Sequence, residues 1–136
     1  FPTRRSSDLE TIGGKEYFLS FEDKKRTAVF AFLRLRIPNR DKNYYDSKIL
    51  NLQPEIKDCA FIRELHTYGQ LVEVGKNEKN ASQHKGLGKK LVTEAEKITK
   101  KNKFTKIAVI SGVGVRGYYR KLGFKKVKTY MIKKLV

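Results

Sequence analysis

Alternating apolar and polar residues predict an antiparallel hairpin near the start of the chain. Residues 15–23 and 27–37 both have the pattern of a strand, and a short charged segment separates them. In the second strand, every other residue from Val29 onward is apolar, whereas Arg34 and Arg36 occupy the opposite face. Such a strand packs one face on a core and leaves the other face in solvent.

The middle of the chain contains a third predicted strand between two polar segments. Residues 39–58 include Asn, Asp and Pro and are predicted to form a long loop, and the strand follows at 60–69. Gly69 is expected to end it before the short apolar stretch QLVEVG, and residues 76–85 are again predicted to form a polar loop.

The next segment has the pattern of an amphipathic helix at 86–101. Leu87, Leu91, Ala95 and Ile98 lie four, four and three residues apart, so they form one apolar stripe along the helix.

Helices and strands alternate from this helix to the end of the chain. The stretch 104–110 contains an unbroken apolar run, which is typical of a strand buried on both faces in a parallel β-α-β crossover. A short helix at 115–122 and a strand at 126–135 follow. The predicted fold class is α/β (α+β): a mixed sheet with antiparallel N-terminal strands followed by a β-α-β-α-β series.

Length and composition indicate one domain. A chain of 136 residues is large enough for one hydrophobic core but not for two. Residues 1–9, FPTRRSSDL, have no periodicity. We therefore expect them to be an addition from cloning or sequence assembly with no role in the fold, and we assign the domain to residues 10–136.

Cysteine content and hydropathy narrow the class of protein. Cys59 is the single cysteine, which excludes an internal disulfide and a cysteine-based metal cluster, and we predict no metal site. Its simplest interpretation is a structural thiol. No apolar run approaches the length that spans a bilayer, so we expect no membrane partner. Because no secretory signal is visible, we expect a cytoplasmic location.

The charge distribution favours a polyanionic partner. Lys and Arg number 31 against 14 Asp and Glu, a net charge of +17, and residues 97–136 contain 13 Lys or Arg and no acidic residue. A solvated basic surface is one interpretation. The second is a surface that attracts phosphates, as nucleic-acid-binding proteins have.

Two glycines in QHKGLGKKLV (83–92) lie directly before the predicted helix. Gln83, Gly86 and Gly88 form a Gln-x-x-Gly-x-Gly motif at its start. Without side chains at the two glycines, a ligand can approach the free amides of the first turn, where the helix dipole adds about half a positive charge. A pyrophosphate is the natural occupant of such a site, although glycines also open loops for steric reasons.

Two other phosphate-binding motifs do not fit the chain. A Walker loop requires Gly at position 83 and Ser or Thr at position 90, where the chain has Gln83 and Lys90. GVGVRG (112–117) matches the dinucleotide fingerprint, but that fold needs an acidic residue about 20 positions further on. No acidic residue follows Glu96, so nicotinamide binding is excluded.

The glycine motif, the buried strand after the helix and YYRKLGF (118–124) together resemble the GNAT acetyltransferase superfamily. IRELHTYGQLVEVG, QHKGLGKKLVTEAEKI and KIAVISGVGVRGYYRKLGF are, more narrowly, similar to the C-terminal acetyltransferase domain of the catalytic subunit of Elongator. The resemblance extends from about Gly13 to Val136, interrupted by the loop at 39–58.

The resemblance implies a role in transfer RNA modification. In that family a radical-SAM domain and an acetyltransferase domain together modify the wobble uridine, with acetyl-coenzyme A (acetyl-CoA) as the acetyl source. The iron–sulfur cluster and S-adenosylmethionine belong to the radical-SAM domain. Its cysteine motif is absent from this chain, which therefore looks like a fragment of a longer protein with tRNA as its partner.

The resemblance also implies site residues. Tyr119 is expected to face the thioester, with Tyr118 beside it, and these two are the candidate catalytic residues. Adjacent helical residues point about 100° apart, so we expect only one of them to reach it. The residues expected to contact acetyl-CoA through the acetyl and pantetheine arm are Glu64, Leu65, His66 and Thr67. Those expected at the pyrophosphate are Gln83, His84, Lys85, Gly86, Leu87, Gly88 and Lys89.

Simpler roles and two other functions remain open at this point. Both tyrosines fit core aromatic positions, His66 fits a structural histidine, and Glu64 fits an ion pair with a basic neighbour. One alternative function is an ordinary N-acetyltransferase that acts on protein lysine or a small amine, which requires a positioned general base. The other is a non-enzymatic, basic RNA-binding module, which leaves the paired glycines and YYRKLGF unexplained.

Overall fold

The computed structural model describes residues 3–39, 54–68 and 86–136. Most of the predicted loop at 39–58, the QLVEVG stretch and the loop at 76–85 lie outside these ranges. The same holds for three of the predicted site residues, Gln83, His84 and Lys85.

The described strands form one mixed seven-stranded sheet in the order β1-β2-β3-β4-β5-β7-β6. In chain order the elements are β1 (Thr3–Thr11), β2 (Gly14–Glu22), β3 (Val29–Pro38), β4 (Cys59–Thr67), α1 (Leu87–Lys101), β5 (Lys106–Ile110), α2 (Arg116–Lys121), β6 (Lys125–Val127) and β7 (Tyr130–Lys134). Short 3₁₀ turns precede β4 and α2. Neither described helix combines the length and apolar content that crossing a membrane requires.

The predicted hairpin is confirmed as the β2–β3 pair. Leu19 lies opposite Leu33 in an antiparallel register, and both are fully buried. The side chain of Asp23 holds the turn by accepting hydrogen bonds from the backbone N–H groups of Thr27 and Ala28, at 2.7 and 3.0 Å. An Asp that bonds to the backbone in this way favours a tight turn.

The predicted helix and parallel crossover are also confirmed. Leu87, Leu91 and Ala95 of α1 are buried in the main core, and Ile98 packs against it half-buried. β4 pairs in parallel with β5, the strand that follows the helix. The main core lies between α1 and one face of the sheet, because burying that apolar stripe requires a complementary apolar face.

A second, smaller core occupies the other face of the sheet. Cys59, Ala108, Tyr130 and Ile132 are buried there. Burial raises the pKa of the Cys59 thiol to about 11, so the thiol is protonated at neutral pH and serves a packing role.

The prediction that residues 1–9 take no part in the fold is wrong. Thr3–Thr11 forms β1, which pairs with β2 over its whole length. Arg4 and Arg5 make ion pairs with Glu94 of α1 and Glu22 of β2, at 3.3 and 2.9 Å. Most β1 side chains are exposed, which agrees with the absence of an apolar pattern in this segment. Backbone pairing with β2 and the two ion pairs hold the strand in the sheet.

The predicted last strand, 126–135, is divided in two. β6 and β7 form a hairpin whose turn contains Lys128 at φ 55°, and β7 pairs with β5 in antiparallel orientation. The series is therefore β-α-β-α-β-β. The turn has no Gly, Asn or Pro, so the usual sequence signal of a tight turn is missing. The prediction that the apolar run of β5 is buried on both faces holds for three of its four residues. Ile107, Ala108 and Val109 are buried, but Ile110 is 71% exposed.

Deletion of residues 1–9 is expected to lower the melting temperature by more than roughly 5 °C. The deletion removes the backbone hydrogen bonds along one edge of β2, each of which contributes about 0.5–1.5 kcal/mol. Arg4→Ala/Arg5→Ala is the control, because it removes only two surface ion pairs worth up to about 1 kcal/mol each. If the truncated protein has the same melting temperature as the full chain, β1 has no structural role.

Candidate functional site

The centre of the candidate site is the point where β4 and β5 separate. Their parallel ladder ends at the pair Ile62–Val109, but β4 continues to Thr67 in contact with β3. Between β3 and β4 the register shifts, so that Arg63 is an extra residue in β4. A bulge of this kind bends its strand. The bulge coincides with the end of the ladder, and beyond it residues 63–67 of β4 pair with no β5 residue among those that the structure describes. We call this unpaired side of β4 the gap between the two strands.

The start of α1 lies at the same end of the sheet. Gly86 precedes the helix with φ 84°, a left-handed conformation that favours glycine, and no side chain caps the helix. The first turn contains no acidic residue. The free N–H groups and the positive end of the dipole are therefore available to an anion.

Gly88 lies in close contact with Tyr118 and Thr67. A Cβ atom at position 88 would lie 2.5 Å from the Tyr118 hydroxyl oxygen and 3.1 Å from the Thr67 Cγ2. The hydroxyl of Tyr118 thus reaches from α2 to the junction between the start of α1 and the end of β4. Tyr118 is 39% exposed, and burial raises the pKa of its phenol.

Tyr119 lies beside it in the main core. Its ring is 6% exposed and packs edge-to-face against Phe124 and Tyr118, with centroid distances of 5.4 and 5.3 Å. Burial, with a smaller contribution from Tyr118, raises the pKa of Tyr119 to about 12. The phenol is therefore protonated at every physiological pH and acts only as a hydrogen-bond donor or acceptor.

A basic groove of about 560 Å³ runs beside the first turns of α1. Its charged lining residues are Arg4, Lys89, Lys90, Lys97 and Glu94. Four cations against one carboxylate give the groove the charge that a phosphate-bearing ligand needs. One of the cations comes from β1, the strand that sequence patterning did not indicate.

A buried hydroxyl lies directly after β5. Ser111 is almost fully buried, and its Oγ has no hydrogen-bond partner among the described residues. Leaving such a group unpaired costs about 1–3 kcal/mol, so a ligand or water that completes it is favoured. Sequence reasoning missed Ser111. The available signal was a polar residue placed immediately after a buried apolar strand.

Side chains alternate along the free end of β4. Leu65 pairs with Leu33 and packs against the main core, whereas Glu64 and His66 face the other side of the sheet. The Glu64 carboxylate forms an ion pair with Arg34, with 2.9 Å between Oε2 and Nε. Among the described residues of this segment, Leu65 and Thr67 are the side chains that face α1.

Comparisons with known proteins agree with this geometry. A family profile described as an acetyltransferase (GNAT) domain matches residues 79–134. This stretch of the chain is therefore similar to a GNAT acetyltransferase domain. It is 42% identical over 130 residues to Elongator complex protein 3 of Drosophila melanogaster and 42% identical over 135 residues to tRNA uridine(34) acetyltransferase of Dehalococcoides mccartyi. The alignments cover 94% and 98% of this chain but only 22% and 28% of the relatives.

Solved structures show the same fold. The archaeal Elp3 of Methanocaldococcus infernus aligns with a TM-score of 0.72 at 40% identity, covering 98% of this chain and 30% of that chain. The PaiA N-acetyltransferase of Thermoplasma acidophilum, solved with coenzyme A, aligns with a TM-score of 0.53 at 24% identity. It covers 88% of this chain and 60% of that one, and it supports the fold alone. The predicted fold class and family resemblance are confirmed.

The structure brings most of the predicted site residues to one place. The end of β4, the start of α1 and Tyr118 meet at the Thr67–Gly88 contact. Leu87 contributes backbone only, because its side chain is buried in the core. Gln83, His84 and Lys85 lie outside the described residues, so their part in the site stays a prediction.

Tyr119 is expected to make folding stability depend on alkaline pH. Between its usual pKa of 10 and its folded value of about 12, the folded state holds the phenolic proton more tightly than the unfolded state. Stability from this group is complete below pH 10 and is lost as pH rises toward 12. The melting temperature of Tyr119→Phe should therefore fall less than that of wild type between pH 10 and about 12. Tyr68→Phe is the control for loss of one phenol, and identical pH profiles for wild type and Tyr119→Phe would contradict the assigned burial.

Proposed function

We propose that this GNAT domain binds acetyl-CoA and supplies its acetyl group for modification of the wobble uridine of transfer RNA. The observation that carries the proposal is the gap between β4 and β5, which opens beside a helix start with glycines at 86 and 88. The names of the relatives, tRNA uridine(34) acetyltransferase and Elongator complex protein 3, support the substrate. The chain spans about a quarter of these relatives, so the complete reaction involves more than this domain.

The described residues suit acetyl-CoA at three points. The pyrophosphate would lie at Leu87, Gly88 and Lys89, where backbone N–H groups and the helix dipole favour it. The pantetheine arm carries amide groups, which would bond to the free backbone of 64–67 across the gap. The unpaired Oγ of Ser111 would supply a further hydrogen bond to the arm.

The proposed role of Tyr119 is to donate a hydrogen bond to the departing thiolate. Cleavage of the thioester leaves a thiolate whose conjugate acid has a pKa near 8.5, as for a cysteine thiol. Complete proton transfer from a phenol with a pKa of about 12 would be uphill by roughly 5 kcal/mol. Tyr119 therefore stabilises the negative charge without giving up its proton, as donors in oxyanion holes do.

The ordinary amine acetyltransferase is a weaker interpretation of the same site. It requires a general base near the thioester, and Glu64 is the carboxylate that sequence reasoning places closest. Its side chain faces the opposite side of the sheet and is held by Arg34 at 2.9 Å. A carboxylate with that partner and direction is poorly placed to deprotonate an amine.

The radical step of the family needs groups that these residues do not supply. A single, buried cysteine whose thiol stays protonated cannot hold a cysteine-ligated iron–sulfur cluster. We propose that the cluster and S-adenosylmethionine belong to a radical-SAM domain that acts together with this chain.

Gly88→Asp is expected to abolish acetyl-CoA binding. It places a negative charge at the proposed pyrophosphate position and a Cβ atom against Tyr118. Loss of charge-assisted hydrogen bonds worth about 1.5–3 kcal/mol corresponds to at least a tenfold weaker affinity, to which repulsion adds. Gly88→Ala, which adds the Cβ without charge, is the matched control and should bind better than Gly88→Asp. Calorimetry that gives both variants the affinity of wild type would remove the pyrophosphate from this position.

Tyr119→Phe is expected to slow thioester cleavage by roughly 10²-fold or more while keeping the affinity for acetyl-CoA. The substitution retains the packed ring and removes only the hydroxyl. Tyr118→Phe should lose less activity, because its hydroxyl lies at Gly88. Thiol release from acetyl-CoA in the presence of transfer RNA gives the rates. If Tyr119→Phe matches wild type, Tyr119 is a packing residue and has no part in the reaction.

A further inference from the structure

Four aromatic side chains form a continuous row on the face of the sheet opposite α1. Phe18 of β2 stacks on Phe32 of β3 at 5.3 Å, and Phe32 lies 5.0 Å from His66 of β4. Tyr68, just beyond β4, stacks on His66 at 6.5 Å and lies 6.2 Å from Phe32. We call these four residues the aromatic platform.

The strand registers place the aromatic platform on the outer face. Phe32 pairs with His66, and their neighbours Leu33 and Leu65 point the other way, into the main core. Phe18 is 39% exposed and Tyr68 is 53% exposed. Exposed faces of antiparallel strands normally carry polar side chains, so a row of adjacent rings there indicates a binding surface.

The surroundings of the aromatic platform are charged. Arg34, which lies opposite Phe18, forms a half-exposed ion pair with Glu64. Arg63, the extra residue of β4, is also half-exposed and lies 3.6 Å from Glu16. Both arginines are thus paired with carboxylates, so the rings themselves indicate a ligand with flat apolar faces. The net charge of +17 favours such a ligand that also carries phosphates.

We propose that the aromatic platform stacks unpaired nucleobases of RNA. Exposed aromatics on a sheet stack two or three bases of single-stranded RNA in a common mode of recognition, whereas the bases of a duplex are already stacked on one another. This proposal rests on the proposed function, because it assigns part of the transfer RNA contact. His66 connects the two surfaces: its backbone borders the acetyl-CoA gap, and its ring belongs to the aromatic platform.

Tyr68 and Phe18 allow the proposal to be tested without loss of the fold. Tyr68 is half-exposed, and its backbone N–H donates to the Phe30 carbonyl oxygen at 2.9 Å, a bond that a substitution of the side chain retains. The variants are Tyr68→Ala and Phe18→Ala, with Tyr68→Phe as the control that keeps a ring. None of them changes the charge. Melting temperatures close to wild type verify folding.

The measurement is the fluorescence anisotropy of three labelled probes of equal length: an oligouridylate, an abasic oligomer with the same phosphates, and an RNA duplex. Wild type should bind the oligouridylate more tightly than the abasic oligomer. Tyr68→Ala and Phe18→Ala should each weaken oligouridylate binding by about 5- to 150-fold, the range measured for loss of one stacked base. Their affinity for the abasic oligomer and the slope of log affinity against log salt should not change, because the phosphate contacts persist.

Three outcomes would overturn the aromatic platform as a base-stacking surface. One is equal affinity of wild type for the oligouridylate and the abasic oligomer. Another is oligouridylate binding that both Ala variants retain. The third is loss of binding to a radical-SAM partner protein in the Ala variants with RNA affinity unchanged, which would make this face a protein interface. Calorimetric binding of acetyl-CoA is independent of all three, so failure of the aromatic platform leaves the proposed acetyl-CoA site standing.

Discussion

The extra residue in β4 is the feature on which the rest of the site depends. Arg63 shifts the register against β3, and the parallel ladder to β5 ends at the preceding residue, Ile62. β5 itself ends at Ile110. The end of β4 therefore pairs with β3 on one side, and no described strand pairs with it on the other. The bulge thus lies at the point in the sheet where we propose that acetyl-CoA binds.

The start of α1 lacks the groups that usually stabilise the first turn of a helix. Its first turn has no acidic residue and no side-chain cap, whereas its last turn carries Lys100 and Lys101, which complement the negative end of the dipole. The positive end is left uncompensated. Gly88 allows the Tyr118 hydroxyl to approach this end closely. The uncapped first turn of α1 and the hydroxyl of Tyr118 therefore lie side by side at the proposed site.

The two proposed binding surfaces lie on opposite faces of the sheet and meet in β4. Alternation along β4 directs Leu65 and Thr67 toward α1 and directs Glu64 and His66 toward the outer face. Through this segment, the proposed acetyl-CoA gap and the aromatic platform lie back to back. Acetyl-CoA and a nucleic acid bound at these two surfaces would be separated only by the thickness of β4.

The sequence by itself determined the elements whose apolar residues recur at a fixed period. The alternation from Val29 and the stripe from Leu87 predicted β3 and α1 because burial of one face requires that spacing. The glycines at 86 and 88 predicted an anion site because only a bare backbone permits close approach.

Tertiary structure alone decided what has no local signal. Pairing with β2 adds β1 to the sheet. Pairing of β6 with β7 fixes the turn at Lys128. Burial leaves the Oγ of Ser111 without a partner among the described residues. The different surroundings of Tyr118 and Tyr119 depend on the packing of α2 against α1 and the sheet. Adjacent positions in a sequence do not encode which ring enters the core and which reaches Gly88, because that choice is made by residues distant along the chain.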